Sequence, residues 1–164
     1  MNFRIEQRIP APQAAVEATL LDSDFVAATA DLPRLGAPEL LENARDGDRA
    51  HQRIRYHFTA PLSGAVTRVV DPAKLTWVDD ATYDLTSHTS RHRILPDNYA
   101  DRLRAAYDVT LEALGDSTRR LVTGELTVHV PLVGGRVERA IVDGLEEHAN
   151  AEAELLGQWI AERR

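Results

Sequence analysis

The chain has no cysteine, which excludes disulfides, thiolate metal sites and cysteine nucleophiles together. Lysine is almost missing as well. Of the 19 basic residues only Lys74 is a lysine, so Schiff-base chemistry has a single candidate, and its context, DPAK, reads as a turn. No stretch reaches the roughly 18 consecutive apolar residues of a membrane-spanning helix. The opening MNFRIEQRIPAP alternates polar and apolar side chains and lacks the basic-then-apolar order of a secretory signal, so a cytoplasmic protein is expected. A basic stripe is lacking too: the net charge is −7, and single arginines are scattered among carboxylates. Nucleic acid is therefore not an expected partner.

What remains is an ordinary globular composition, 43% hydrophobic and 27% charged over 164 residues, which suits one domain spanning residues 1–164. Phe3, Ile5 and Ile9 alternate with Arg4, Glu6 and Arg8, the period-2 pattern of a half-buried strand. Pro12 opens a short helix over QAAVEATLL. A second short helix, DFVAATADL, takes Ser23 or Asp24 as its cap and ends at Pro33.

From residue 38 to 130 the pattern is mostly strand. The turns D-G-D at Asp46 to Asp48 and G-D-S-T at Gly115 to Thr118 mark two hairpins. Residues 61–74 fit a strand or a short helical crossing equally well. The final element is a helix of about 30 residues, roughly 45 Å long. Its apolar stripe runs through Val137, Ile141, Leu145, Leu155 and Trp159, with Arg139, Asp143, Glu146, Asn150 and Glu154 opposite.

His148 and Glu152 fall in the middle of that stripe, where an unpartnered charge is costly. Two readings stand. The end of the helix overhangs the sheet and both groups reach solvent, or they face a cavity where they meet a ligand or water. Four residues apart, they are neighbours on the helix surface.

Most other chemical candidates reduce to structure. VPLVGGRVE lacks the lysine and glycine spacing of a phosphate loop and reads as a turn into the helix. Asp22 and Asp24 fit capping better than a calcium loop. Asp79 and Asp80, adjacent on a strand, point to opposite faces, so at most one enters the interior. His88 and His92, read on one strand face about 13 Å apart, cannot share a metal. His51 and His57 lie on an arginine-bearing face and are expected to be exposed. No serine sits in a G-x-S-x-G elbow. No metal and no cofactor are expected.

One strand, two short helices, about six further strands and a long amphipathic helix make an α+β order. This order resembles the helix-grip fold of the START-like superfamily, also called SRPBCC, which includes the birch pollen allergen and polyketide cyclases. The run TVHVPLVGGRVERAI, with Gly124 before it and PDN at residues 96–98, resembles an actinobacterial branch of unknown function. The resemblance implies a curved antiparallel sheet of about seven strands around the C-terminal helix, enclosing a cavity for an apolar or amphipathic small molecule. The expected ligand-binding residues are Ile54, Tyr56, Trp77, Tyr83, His92, Tyr107, Ile141, Leu145, His148 and Glu152. Binding or transport without catalysis is the first expectation. A cyclase- or dehydratase-type enzyme, with His148 or His92 as base and Glu152, Asp79 or a tyrosine as acid, is the second. A protein-interaction module of the chaperone-activator type is the third. No local pattern encodes oligomeric state.

Overall fold

The computed structural model describes residues 1–164. Strand β1 (Asn2–Ile9) is followed by two short helices, α1 (Gln13–Leu20) and α2 (Ser23–Ala28), and a 3-10 turn at Thr29–Asp31. Asp22, not Ser23 or Asp24, caps α2: its side chain accepts from the Asp24 amide at 2.8 Å. Strands β2 (Glu39–Asp46) and β3 (Arg49–His57) come next. Residues 61–74, ambiguous in sequence, hold the one-turn helix α3 (Gly64–Thr67) and a 3-10 turn at Pro72–Lys74. Strands β4 (Thr76–Asp84), β5 (Thr89–Pro96), β6 (Leu103–Leu114) and β7 (Ser117–Val128) precede the helix α4 (Gly134–Glu162).

The seven strands form one antiparallel sheet in the order β1-β7-β6-β5-β4-β3-β2. The first and second strands are thus opposite edges, and α1 and α2 make the crossing between them. This is the expected α+β helix-grip architecture, with the curved sheet wrapped around α4. The β2–β3 and β6–β7 hairpins turn on Gly47 and Gly115, whose positive φ values of 58° and 63° supply the first position of a tight two-residue turn.

Packing of α4 divides into two anchors. Its first half contributes Val137, Ile141 and Val142 to a core with Phe58, Leu75, Leu126 and Val128. Its second half contributes Ala153, Leu156 and Ile160 to a core with Ile9, Val16, Phe25, Val109 and Leu111. Between the anchors, Leu145, His148, Ala149 and Glu152 span an open interior. Two glycines make close approach possible. At Gly144 an added Cβ would lie 2.7 Å from the Phe58 ring, so α4 rests directly on that ring. At Gly124, a Cβ would lie 2.5 Å from Tyr107 Cβ and 2.6 Å from the Ala106 carbonyl oxygen. A glycine in a strand commonly marks such backbone crowding at a bend.

Gly124→Ala should therefore lower stability by about 3 kcal/mol, the upper range for forcing extra volume into a packed site. Gly135→Ala, where an added Cβ meets nothing within 4 Å, should be neutral or slightly stabilising. Urea denaturation midpoints of the two variants test the contrast.

Candidate functional site

A cavity of about 210 Å³ lies between the sheet and the middle of α4. That is below the roughly 300–1,000 Å³ typical of pockets for drug-sized ligands. From the sheet, Ile54, Tyr56, Trp77, Tyr83, His92 and Tyr107 line it; from α4, Ile141, Leu145, His148 and Glu152 do so. The structure thus brings the ten residues that the resemblance implied around one cavity. The wall reaches the surface at the exposed residues Lys74 and Asn98.

One connected group of polar side chains in the cavity lies on β4, β5 and β6. His92 is paired across the ladder with Tyr107, and the two rings stack at 4.3 Å with an interplanar angle of 13°. His92 Nδ1 lies 2.9 Å from Asp79 Oδ1. Because a carboxylate only accepts, Nδ1 carries a proton toward Asp79, and Nε2 shares a hydrogen bond with the Ser90 hydroxyl at 2.9 Å. The Tyr107 hydroxyl donates to the other oxygen of Asp79. The Tyr83 ring meets His92 edge-on at 5.9 Å. Asp80, its side chain on the other face, bonds His51 at 2.5 Å and Arg93 at 2.9 Å. The alternation argument for the aspartate pair therefore holds, and Asp79 is the one inside.

The Ser90–His92–Asp79 chain was not visible in sequence. A serine two residues before a histidine shares its strand face, but the aspartate comes from the neighbouring strand. Arg120 was also missed. It looks like one more arginine in STRR, yet it is 5% exposed on the inner face of β7. Its Nε donates to Gln7 Oε1 at 2.9 Å, Nη1 to Glu152 Oε1 at 2.5 Å, and Nη2 to the Ala149 carbonyl at 3.0 Å. One guanidinium thus ties β7 to β1 and to α4. This partner is what makes a charge on the apolar stripe tolerable.

His148 is buried, and its Nδ1 meets the Pro33 carbonyl at 3.1 Å. The neighbouring Arg34–Glu147 ion pair at 2.6 Å fastens the same connection to α4. The overhanging reading of the helix is overturned: both ionisable groups turn inward, because α4 is anchored beyond them. His88 also departs from expectation. It lies in the β4–β5 turn with φ of 57°, off the strand, and its Nδ1 contacts both oxygens of Glu17 at 3.1 and 3.2 Å. His51 is half-exposed, held between Glu42 and Asp80.

Burial raises the pKa of three cavity tyrosines above the ordinary value for a phenol. For Tyr56 and Tyr83 the charges of Glu152 and Asp79 add to it, with Arg120 opposing. For Tyr107, the Asp79 charge and its hydrogen bond follow burial.

This fold is that of a START-like helix-grip protein. Solved structures similar to it include TTHA0849 from Thermus thermophilus, at 19% identity and TM-score 0.70, covering 99% of both chains. The Zhui aromatase/cyclase from Streptomyces sp. R1128 is similar at 16% identity and TM-score 0.69, covering 99% of this chain and 94% of its own. A START superfamily protein from Mycobacterium smegmatis matches at 16% identity and TM-score 0.57, covering 99% of both chains. At such identities the likeness is one of fold. The chain itself belongs to the family described as protein of unknown function DUF2505, whose pattern matches residues 4–160. No curated protein matches it.

Two outcomes are expected. A tyrosine whose pKa is raised on folding contributes stability fully present below its unfolded value near 10, and this is lost as pH rises toward the folded value. Ultraviolet titration should show Tyr56, Tyr83 and Tyr107 ionising only with cooperative alkaline unfolding, and Tyr107→Phe should shrink that phase. Separately, Glu152→Gln strands the buried Arg120 charge and should cost about 3 kcal/mol in denaturant unfolding, most of it recovered in the Glu152→Gln/Arg120→Met double variant.

Proposed function

We propose that the protein binds a small amphipathic molecule in the cavity under α4, with its apolar body against the wall and its polar end at the Asp79–His92–Tyr107 cluster. One observation carries this reading: an interior lined mainly by apolar side chains that holds a convergent polar cluster at Asp79, His92 and Tyr107, the usual form of a small-molecule site. The modest volume favours a compact ligand over a two-chain lipid. The ten residues named from sequence are the proposed ligand contacts. No metal or cofactor is part of the reading, and no helix is long and apolar enough to cross a membrane.

A second reading, a cyclase- or dehydratase-type enzyme, is favoured by the Ser90–His92–Asp79 chain. There His92 would take a proton from the substrate at Nε2 while Asp79 holds its tautomer and stabilises the resulting charge. His148 is a second candidate base: its Nδ1 donates to the Pro33 carbonyl, which leaves Nε2 open, but a carbonyl does not offset the ring's positive charge as Asp79 does for His92. The protein-interaction reading has less support: exposed large apolar residues such as Leu41, Val69, Leu95 and Leu114 sit on separate elements.

Binding is tested with the neutral fluorophore N-phenyl-1-naphthylamine and by mass spectrometry of solvent extracts of natively purified protein. Saturable enhancement or a recovered amphiphile is expected, and Ala149→Phe, which fills the cavity from α4, should weaken fluorophore binding at least tenfold while the circular dichroism spectrum is kept. Absence of any bound or bindable molecule overturns the reading. An extracted compound converted by the wild type but only bound by His92→Ala would favour the enzyme.

A further inference from the structure

The permanent charges on the cavity wall are unbalanced. Asp79, Glu152 and Glu17 supply carboxylates. Glu17 is engaged by His88. Glu152 is engaged by Arg120, the only buried guanidinium on the wall. Asp79 faces a tyrosine hydroxyl, a histidine ring and no arginine or lysine.

Arg120 does not restore the balance for a ligand. Three of its five N–H groups are spent on Gln7, Glu152 and the Ala149 carbonyl. A ligand carboxylate arriving there would have to displace Glu152 and leave a buried anion unpaired, which is costly. Lys74 is exposed, so water and salt screen its charge from the interior.

Two phenols sample the potential of the same space. Next after burial, the carboxylates of Asp79 and Glu152 oppose ionisation of Tyr56 and Tyr83, with Arg120 acting the other way more weakly. Negative charge is disfavoured at each of these points. Aromatic faces meanwhile border the cavity: Tyr56 and Trp77 sit 6.2 Å apart, tilted by 38°. Such faces attract cations.

From this geometry we infer that the site selects ligands by the charge of their polar end, taking a hydrogen-bond-donating, uncharged or cationic headgroup and rejecting a carboxylate. The ligand class is then a compact aromatic or alicyclic alcohol or amine, not a free fatty acid. This rests on the binding function proposed above and specifies its ligand. The carboxylate of Asp79 receives the donor, and the apolar wall toward Ile141 and Leu145 receives the body.

A matched series separates the terms: 3-phenylpropylamine, 3-phenyl-1-propanol and 3-phenylpropanoate share a body and differ in the headgroup. Dissociation constants come from titrating each into ¹⁵N-labelled protein at pH 7.5, with shifts at β4, β5 and β6 locating the site. The amine and the alcohol are expected to bind at least tenfold more tightly than the carboxylate. Asp79→Asn, which keeps the shape and removes the charge, should shrink the difference between amine and carboxylate at least fivefold. Glu152→Gln, which releases Arg120, should strengthen carboxylate binding. A carboxylate that binds wild-type protein as tightly as the alcohol overturns the charge selection and leaves the binding function standing. If none of the three shifts a cavity resonance, the binding function falls and the selection with it.

Discussion

Two hydrophobic anchors at the ends of one helix hold the architecture together. Val137, Ile141 and Val142 fasten the first half of α4 to the sheet, and Ala153, Leu156 and Ile160 fasten the second. A helix fixed at both ends does not collapse onto the sheet in between, because its backbone is stiff over two or three turns. The space beneath residues 145–152 is therefore a consequence of where the anchors sit. Gly144 and Gly157, which rest against Phe58 and Pro10, set how closely those anchors approach the layers beneath.

An interior held open in this way admits groups that a filled core would reject. Burying an ion costs more than its partner usually returns, and the chain meets that cost with complete pairing: no buried side-chain nitrogen or oxygen is left without a hydrogen bond. Arg120 is the clearest case. Its three hydrogen bonds join the edge strand β1, the inner strand β7 and α4, so a single side chain reports whether all three elements are in place. Asp79 is satisfied differently, by a phenol and an imidazole. It remains a carboxylate with no permanent cation beside it, and this difference gives the cavity its electrical character.

Much of the fold was legible in the chain. The alternation in FRIEQRI, the glycine turns at residues 47 and 115 and the long stripe of α4 are local signals, set by neighbours a few residues apart. The segment 61–74 was not legible because a single helical turn and a 3-10 turn carry too few residues to show a period. The cap of α2 fell on Asp22 for a similar reason: the run D-S-D at residues 22–24 offers several acceptors, and only backbone geometry chooses among them.

Element order, the two faces of each strand and the ionisable groups on an apolar helix stripe can be read from the chain alone, because they depend on periodicity between near neighbours. That Glu152 meets Arg120 across 32 positions, and that Ser90, His92, Asp79 and Tyr107 form one hydrogen-bonded cluster, emerges only on folding. Such pairings depend on strand register and on the stand-off of a helix from a curved sheet. Both are set by packing between residues far apart in sequence, and no local pattern carries them.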